Sequence, residues 1–543
     1  MSGSGVGATL ATWTGGFAER EVGIRVRTDD RRSLVPVELL VGVALRRNPR
    51  RAQLLVSTVL AKHVPTDPGL AIVAAQLLGL LVGGELDGNR PPGGLFARLA
   101  RILQQMEEAG GGAASASAPA SGSASASAGL AALRAEVAEL RSKHPEVVTI
   151  GYAETATGLG QFVAETIGSF YIHSTRHAPA GRAPFAGFEE EHSHATSHQL
   201  YPDRTDWLRP GGTVVLVDDE LSTGTTIVNT IRALHQVAPQ SRWVVASLID
   251  LRSDVDRARF DTLAEALGTS IAVVALGSGT VDLPPDVLAR AARALPPAAP
   301  ALPADALALP RAAPVSPRSQ RAQGASKGPE LLQSAPERAV SVLSMAESGV
   351  ESREAEKAGS REAGAGAGAL TLVEVAGGGD RSARFGVDAR PGGLDGAAAR
   401  IVAALDPVLP GGATLVLGSE EYIALPLAVA DELAHGHRRT GGQRSVRFST
   451  TTRSPIAAID RPDYAIASAL GFQSHDLTSD GFGPRFAYNL TRSGCRFDAI
   501  VFVPEPDADR DRMLAADGVA EALRRVTDHV FVVLTHPEEP ATP

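Results

Sequence analysis

The stretch Pro210-Gly-Gly-Thr-Val-Val-Leu-Val-Asp-Asp-Glu-Leu-Ser-Thr-Gly-Thr-Thr226 contains the signals that decide the fold. It opens with a proline–glycine turn and continues as an apolar, β-branched run, 214–217, which predicts a buried strand. Ile227, Ile231 and Leu234 then recur at helical spacing, so we expect a helix directly after the loop. A buried strand that passes through a short loop into a helix indicates an α/β fold.

The loop between this strand and this helix has the composition of a phosphate-binding site. A helix N-terminus presents backbone N–H groups and the positive end of the helix dipole to an anion. Thr223, Thr225 and Thr226 add side-chain donors, and Gly224 allows the backbone to come close to a ligand. The sequence therefore predicts an anion cradle at this position.

Two carboxylates, Asp218 and Asp219, stand between the strand and the loop. Carboxylate oxygens are hard acceptors, so they suit either a diol or a sugar-bound Mg²⁺. The alternative interpretation is an ordinary strand–turn–helix unit with an acidic edge. The strand–loop–helix context of 214–226 favours ligand binding over that alternative.

The same residues resemble the phosphoribosyl-diphosphate (PRPP) motif of type I phosphoribosyltransferases, which has four apolar residues, two acidic residues and a Thr-Gly-Thr-Thr-like loop. The resemblance implies a doubly wound, mostly parallel α/β sheet. It implies that Asp218 and Asp219 hold the ribose hydroxyls, with Mg²⁺ as cofactor bound nearby, mainly through PRPP. The 5′-phosphate would then be bound by Ser222, Thr223, Gly224, Thr225 and Thr226.

A second loop of small and hydroxyl residues follows the strand predicted at 147–150 and leads into a helix. Because parallel strands end at the same edge of a sheet, a second anion site is expected beside the first. A purely structural turn is the alternative. The resemblance places the pyrophosphate loop here, and the binding residues it implies are Glu154, Thr155, Ala156, Thr157 and Gly158.

The segment between the two loops carries an arginine and three histidines. Arg176 ends a predicted strand, where its fork of donors is placed to clamp pyrophosphate. His192, His194 and His198 are open to three interpretations: a metal site with Glu191, a polar surface, or a loop that closes over the substrate. The resemblance favours the closing loop, in which His192 and His194 donate protons or contact diphosphate.

The segment that precedes the second loop contains candidate elements for binding the acceptor. Short apolar stretches flank the basic run 46–51, which predicts either a solvated helix start or, by the resemblance, a hood that selects the base. Lys62 is a candidate for a phosphate or base contact. Residues 109–129 are almost entirely Gly, Ala and Ser, which predicts a flexible insertion.

Length and composition indicate more than one domain and a soluble protein. A chain of 543 residues can form two or more cores, and its net charge of −9 argues against a general nucleic-acid or anionic-membrane surface. Cys495 is the only cysteine, which excludes an intrachain disulfide and fits a reducing compartment. Residues 1–20 lack a signal-peptide pattern, and the apolar run 70–82 is too short to span a bilayer, so we expect a cytoplasmic location.

Composition divides the chain into three segments. We predict a phosphoribosyltransferase-like domain with its hood at 1–295, a disordered Pro/Ala-rich linker at 296–368 and a second α/β domain at 369–543. The second domain repeats features of the two strand ends of the first, but it has no Thr-Gly-Thr-Thr loop. Our hypothesis is that it is a degenerate second copy of the same fold.

The tetrapeptide Thr452-Arg-Ser-Pro455 sharpens the resemblance. Together with the loops of the first domain, it resembles the two-domain proteins with a TRSP domain that occur in bacterial tellurium-resistance gene clusters. This resemblance implies a role in a bacterial stress response. Arg453 and Tyr488 are polar candidates in the second domain to which the sequence assigns no role.

These observations predict a pentosyltransferase that moves a 5-phosphoribosyl group between PRPP and a base-like acceptor, or catalyses the reverse pyrophosphorolysis. Ser222 stands where purine-salvage members often carry an acidic residue, which argues against hypoxanthine or guanine. The alternative is a non-catalytic regulator that senses PRPP or a nucleotide. We expect PRPP or a nucleotide as partner, a homodimer as one option for assembly, and neither nucleic acid nor a membrane. The predicted catalytic residues are Asp218, Asp219, Arg176, His192 and His194.

Overall fold

The protein forms two α/β domains, and each of them is built on its own sheet. Apolar strands alternate with helices along both domains, and helices cover the faces of sheets whose strands are buried on both sides. The predicted fold class, a mostly parallel doubly wound sheet followed by a second α/β domain, is confirmed. The computed structural model describes residues 15–48, 51–111, 121–179, 181–189, 197–296, 342–345, 367–379, 383–440, 444–476, 481–492, 495–506 and 508–537.

The first domain contains the elements that precede the predicted linker, and it opens with a helical turn at Ala18–Val22. Its strands are β1 (Arg25–Thr28), β2 (Val41–Leu45), β3 (Gln53–Ser57), β4 (Val148–Gly151), β5 (Phe170–His173), β6 (Ala186–Glu189), β7 (Ser197–Leu200), β8 (Thr213–Leu221), β9 (Arg242–Asp250) and β10 (Ser270–Asp282). Its helices are α1 (Val37–Leu40), α2 (Pro68–Asp87), α3 (Gly93–Gly111), α4 (Ser121–Glu139), α5 (Ala156–Ile167), α6 (Thr225–Val237), α7 (Asp254–Leu267) and α8 (Val287–Ala294).

The first sheet is parallel through its centre. Strands β10, β9, β8, β4 and β5 lie side by side in that order and run parallel, and β1 closes one edge antiparallel to β10. The chain builds outward from β4 to β5 on one side, then from β8 to β10 on the other. In open α/β sheets, ligands bind at such a reversal, outside the carboxyl ends of the strands. The carboxyl ends of β4 and β8 therefore mark the expected site.

The second domain continues the element numbering. Its strands are β11 (Val342–Met345), β12 (Ala369–Gly379), β13 (Val387–Asp388), β14 (Gly412–Gly418), β15 (Arg444–Thr450), β16 (Ala469–Gln473), β17 (Pro484–Tyr488), β18 (Thr491–Arg492), β19 (Cys495–Arg496), β20 (Ala499–Val503) and β21 (His529–Pro537). A short turn of helix, Ala383–Phe385, precedes β13, and the longer helices are α9 (Asp395–Leu405), α10 (Ala424–Thr440), α11 (Arg510–Leu514) and α12 (Val519–Arg524). Strand β13 pairs antiparallel with β5, so the second domain extends the sheet of the first.

Four strands of the second sheet repeat the order of the first. Strands β21, β20, β14 and β15 run parallel in the same order as β9, β8, β4 and β5, and they follow one another along the chain in the same sequence. The fifth position is filled by β12, which precedes these strands in the chain, whereas β10 follows its four. The shared strand order supports the hypothesis of a degenerate copy. In this copy the fifth strand comes from the N-terminal side of the other four instead of the C-terminal side.

The backbone contacts at the strand ends repeat as well. Ala153 N donates to Ser174 Oγ at 2.9 Å, and at the matching positions of the second domain Glu420 N donates to Thr451 Oγ1 at 3.0 Å. In both domains a hairpin follows the second of these strands, β6–β7 in the first and β16–β17 in the second. The second domain therefore retains the local geometry of the first at this edge.

Four elements differ from the sequence-based predictions. Helix α2 has 20 residues, which is long and apolar enough to cross a membrane, but most of it is buried inside the protein. Helices α3 and α4 enter the predicted insertion 109–129 from both ends, consistent with the high helix propensity of alanine, while 112–120 lie outside the described residues. Strand β11 lies within the predicted linker 296–368 and pairs with β12.

Candidate active site

The loop between β8 and α6 has the backbone conformation of an anion cradle. Gly224 has a φ of +74°, in the left-handed region, and a Cβ there would lie 2.6 Å from the ring of Phe260. Thr223 Oγ1 and Thr225 Oγ1 lie 3.0 Å apart on the loop. Gly224, the N-cap residue of α6, has no side chain to cap the helix, and Thr225 N donates to Thr223 Oγ1 within the loop at 3.4 Å. The loop is therefore suited to bind a phosphate.

Strand β8 does not end before the two predicted aspartates but continues through them to Leu221. Asp218 Oδ1 accepts a hydrogen bond from Asp219 N at 3.0 Å, and both residues are half-buried. Successive residues of a strand point to opposite faces, so the two carboxylates point toward different faces of the sheet at its edge. Asp219 borders a pocket beneath the hairpin β2–β3, and the charge of Asp218 acts on Tyr152 at the end of β4.

The hairpin β2–β3 occupies the position predicted for the hood. The pocket beneath it has polar groups from Ser57, His63, Asp219 and Glu220. It measures about 20 Å³, which is room for about one water molecule, so a larger ligand requires the hood to move. Its apolar walls are Leu40, Val41, Leu55, Leu60, Leu248 and Ile249.

Two polar groups of this pocket were missed by the sequence analysis. Burial raises the pKa of Glu220, against the effect of Arg51, whose Nη2 lies 2.9 Å from Glu220 Oε1. His63 is 7% exposed, and its Nε2 has no hydrogen-bond partner among the residues that the structure describes. Burial, together with the charge of Lys62, lowers the pKa of His63 well below 6.5, so the ring is neutral at neutral pH. A buried, unpaired ring nitrogen that lines a pocket indicates a ligand contact.

The second predicted anion loop lies at the carboxyl end of β4, beside that of β8. Lys62 Nζ lies 2.5 Å from Thr155 Oγ1 and 3.2 Å from Glu154 Oε2. Lys62 is only 9% exposed, so its charge is held close to the loop and largely away from water. The structure thus places Lys62, a candidate for a phosphate or base contact, at the predicted pyrophosphate loop.

The remaining predicted pyrophosphate residues, Ala156, Thr157 and Gly158, lie in the first turn of α5 and are buried. Thr157 Oγ1 donates to the carbonyl of Glu421 at 2.7 Å, and a Cβ on Gly158 would lie 2.5 Å from the side chain of Ile423. At Thr157 and Gly158 these contacts belong to the interface with the second domain. Any contact with pyrophosphate at those two positions would have to come from the backbone.

Arg176 follows β5 and lies under the hairpin β6–β7. Its Nη2 is 3.5 Å from His198 Nε2, and His198 Nδ1 is 2.9 Å from Ser174 Oγ. His198 is buried and stacks on Phe188, with ring centroids 5.1 Å apart. Through His198 the hairpin is anchored next to Arg176, in the place that the sequence analysis assigned to a closing loop.

The other members of the histidine loop, His192, His194 and Glu191, lie outside the described residues, and their predicted roles stay predictions. Within the described ranges there is no group of three or more His, Cys, Asp or Glu that could hold a metal ion. His198 instead has a structural partner in Ser174.

At the interface, each domain contributes a glutamate that accepts hydrogen bonds from the other domain. Glu421 Oε2 accepts from Thr175 Oγ1 at 2.6 Å, and Glu421 Oε1 accepts from the backbone N–H of Arg176 at 2.8 Å. In the opposite direction, Glu154 Oε2 accepts from Thr452 Oγ1 at 2.8 Å. Glu154 and Glu421 stand at the same distance after β4 and β14, and Thr175 and Thr452 at the same distance after β5 and β15. The contacts are thus related by an approximate two-fold symmetry.

A buried charge cluster surrounds these contacts. Glu420 pairs with Arg485 Nε at 2.5 Å and with Arg453 Nε at 3.1 Å. Burial would raise the pKa of Glu421, but His177 and Arg384 outweigh it and hold that pKa at about 2. Burial would lower the pKa of His177, but Glu421 and Glu420 raise it above its usual value. The sequence contains one signal for this cluster: Glu420 and Glu421 follow a strand end, as Glu154 does in the first domain.

Models of protein families match both domains. Residues 40–280 match a family described as phosphoribosyl transferase, and residues 381–523 match the TRSP domain that lies C-terminal to it. The chain belongs to the phosphoribosyltransferases that carry a C-terminal TRSP domain. This membership confirms the family predicted from the two motifs, and it places the protein among the pentosyl-transferring enzymes.

Solved phosphoribosyltransferase structures are similar to part of the chain. The adenine phosphoribosyltransferase of Rhodothermus marinus is 22% identical over 24% of this chain and 68% of its own, with a TM-score of 0.19. That of Trypanosoma brucei is 16% identical over 24% and 57%, with a TM-score of 0.19. The orotate phosphoribosyltransferase of Aeropyrum pernix is 19% identical over 24% and 59%, with a TM-score of 0.15. No curated protein matches the chain significantly.

Proposed function

We propose that the protein transfers a 5-phosphoribosyl group between PRPP and a ring nitrogen of a heterocyclic base, or cleaves the corresponding nucleotide with pyrophosphate. The observation that carries this proposal is the convergence of three chemically different subsites. The phosphate cradle after β8, the lysine-bearing loop after β4 and the pocket beneath the hood all lie at adjacent strand ends.

The chemistry in the forward direction assigns a task to each subsite. The bond between ribose C1′ and a diphosphate oxygen breaks as a base nitrogen bonds to C1′, and the proton of that nitrogen passes to the departing diphosphate or to water. Because the transition state resembles an oxocarbenium ion, the rate depends on a rigidly held ribose and on stabilisation of the departing diphosphate. Loop 222–226 would hold the 5′-phosphate, and Asp218 and Asp219 would accept hydrogen bonds from the ribose hydroxyls. Lys62 and Arg176 would supply positive charge on the diphosphate side.

The pocket beneath the hood supports a flat heterocycle as the acceptor. Its walls are aliphatic, which suits the faces of an aromatic ring. Among its polar groups, His63 and Glu220 would contact the edge of the ring. Asp219 connects this pocket to the ribose position, so the base would lie next to the carbon at which it reacts.

Mg²⁺ is the cofactor implied by this class of reaction, and the half-buried carboxylates of Asp218 and Asp219 fit a hard cation. Because no three-ligand cluster exists within the described ranges, most of the ligands would be oxygens of PRPP. When bound, the ion would neutralise part of the diphosphate charge.

We also propose a cytoplasmic protein that acts in a bacterial stress response and is encoded with tellurium-resistance genes. The support is the resemblance of its two-domain TRSP architecture and the presence of a single cysteine, Cys495. Deletion of the gene should lower tolerance to tellurite. Equal growth of the deletion strain and its parent in tellurite would contradict this role.

The direct test is release of pyrophosphate from PRPP and Mg²⁺ in the presence of single bases, including adenine, orotate, uracil and nicotinate. We expect release to depend on one class of base and to be lost in the Asp218→Asn, Asp219→Asn double variant. Turnover by that double variant at the wild-type rate would contradict the assignment of the site.

A regulator that senses PRPP or a nucleotide is the second candidate, and one observation favours it. Glu421 of the second domain contacts Thr175 and the backbone of Arg176, so a ligand bound to Arg176 would lie next to a contact between the domains. Binding of PRPP without turnover of any base would favour the regulator over the enzyme.

A further inference from the structure

The Thr452-Arg-Ser-Pro455 tetrapeptide reaches the first domain at the pyrophosphate loop. Thr452 Oγ1 donates to Glu154 Oε2 at 2.8 Å, and Arg453 Nε lies 3.5 Å from Glu154 Oε1. A third group, Lys62 Nζ, lies 3.2 Å from Oε2. Two of these three groups belong to the second domain.

Burial makes these contacts decisive for the position of Glu154. The side chain of Glu154 is 7% exposed, that of Arg453 is 12% exposed, and Thr452 is fully buried. A carboxylate in such a place must be paired, and removal of one partner leaves charge that water cannot reach. The conformation of the pyrophosphate loop thus depends on residues that lie about 300 positions further along the chain.

The same tetrapeptide also connects to the acceptor pocket. Tyr488 Oη donates to the carbonyl of Ser454 at 2.5 Å and accepts from Ile456 N at 2.7 Å. The Tyr488 ring packs edge-on against His63, with centroids 5.8 Å apart, and Asn489 Nδ2 donates to the His63 carbonyl at 2.8 Å. His63 is the pocket residue whose Nε2 is unpaired among the described residues.

We propose that the tetrapeptide Thr452–Pro455 is a positioning element of the active centre. Thr452 and Arg453 hold Glu154 and with it the pyrophosphate loop, while Ser454 holds Tyr488 and with it His63. The second domain is then a component of the site through these positioning residues. This inference rests on the proposed function, because it concerns the binding of the substrates proposed above.

The competing explanation is that these contacts only fasten the two domains together. A matched control exists in Arg134 on α4, whose two terminal nitrogens lie 2.7 and 2.6 Å from the carboxylate of Asp431 on α10. This ion pair crosses the same interface, but it contacts neither the loop after β4 nor the hood pocket. Arg134→Gln therefore weakens the interface without changing the surroundings of Glu154.

The experiment is isothermal titration of the full chain with magnesium pyrophosphate. Thr452→Val keeps the shape of the side chain and removes the hydroxyl, so it should weaken pyrophosphate binding by about tenfold or more, because a displaced loop loses its alignment. Thr452→Ser, which keeps the hydroxyl, should restore the wild-type affinity. Arg134→Gln should lower the thermal midpoint and keep the affinity.

A second arm tests the acceptor side. Tyr488→Phe removes the contacts to Ser454 and Ile456 but keeps the ring, so it should raise the KM for the base that the wild-type protein uses and leave pyrophosphate affinity unchanged. If Tyr488→Phe changes pyrophosphate affinity and the KM for the base equally, the separate roles proposed for Thr452 and Ser454 are wrong.

The outcomes separate this inference from the proposed function. Wild-type affinity in Thr452→Val, or equal losses in Thr452→Val and Arg134→Gln, would overturn the positioning role. Wild-type protein that binds pyrophosphate but turns over no base would overturn the proposed enzymatic function alone, and the variant affinities would still decide the positioning role. Absence of pyrophosphate binding by the wild-type protein would overturn both.

Discussion

At the scale of single residues, Asp219 is the carboxylate that stands between the hood pocket and the predicted phosphate loop. It is half-buried and borders the hood pocket. On the proposed assignment, Asp219→Asn should lower kcat/KM for PRPP by about a hundredfold, because it removes a charge assigned to the ribose hydroxyls. It should change the free energy of unfolding by less than about 0.5 kcal/mol. Steady-state kinetics and urea unfolding test this, with Asp261→Asn on the exposed side of α7 as control. Unchanged kinetics would remove Asp219 from the site.

His63 carries a buried polar atom, Nε2, that has no hydrogen-bond partner within the part of the chain that the structure describes. His63→Phe fills the same space and removes Nε2, so it should raise the KM for the acceptor by about tenfold, the effect of one lost hydrogen bond, while PRPP affinity stays unchanged. The variant should be as stable as the wild type or more stable, because an unpaired buried nitrogen is replaced by an apolar group. If the acceptor KM stays at the wild-type value, another group recognises the base.

At the scale of elements, the β8–α6 loop depends on a glycine for two separable reasons. Gly224 and Gly268 are both left-handed, with φ of +74° and +62°, but only a Cβ at 224 would meet a neighbour, Phe260. Gly268→Ala should cost about 1–2 kcal/mol of unfolding free energy for the backbone alone. Gly224→Ala should cost more and should also weaken PRPP binding. Equal destabilisation of the two variants, with PRPP affinity retained, would show that the loop is not a tight cradle.

The elements also show which features a sequence can predict. Strand β8, the loop 222–226 and helix α6 were predicted because their signals are local: an apolar run, a glycine and a helical repeat within a few turns of chain. The hydrogen bond between Glu154 and Thr452 joins residues 298 positions apart, and no local pattern encodes it. The contact of the Thr157 hydroxyl with the second domain also has no local signal. The sequence therefore allowed Thr157 to be assigned to pyrophosphate binding.

At the scale of the whole molecule, the two domains form one unit around a shared edge. Strand β13 of the second domain pairs with β5 of the first, and Thr66 pairs with Phe448 next to the hood. The repeated strand order and the reciprocal glutamates place the carboxyl edges of both sheets against each other. Because the second domain has no Thr-Gly-Thr-Thr loop, the chain has one predicted cradle, and the second domain contacts the neighbouring loop after β4.

This unit should respond to pH through His177, which lies 3.6 Å from Glu420 and 3.9 Å from Glu421. The pKa of His177 is raised in the folded protein, so its contribution is complete below the usual value of 6.5 and is lost as the pH rises through the raised value. The depressed pKa of Glu421, about 2, contributes stability above 4.5 that is lost as the pH falls toward 2.

His177→Gln keeps a polar side chain but removes the titrating charge. The free energy of unfolding in urea should therefore differ between wild type and variant by more at about pH 6 than at about pH 9, because the contribution of a raised His pKa declines as the pH rises above 6.5. The charges of Arg384 and Arg453 beside the two glutamates do not change over this range, so they do not contribute to the pH dependence. A difference that stays constant between these two pH values would show that folding leaves the pKa of His177 at its usual value.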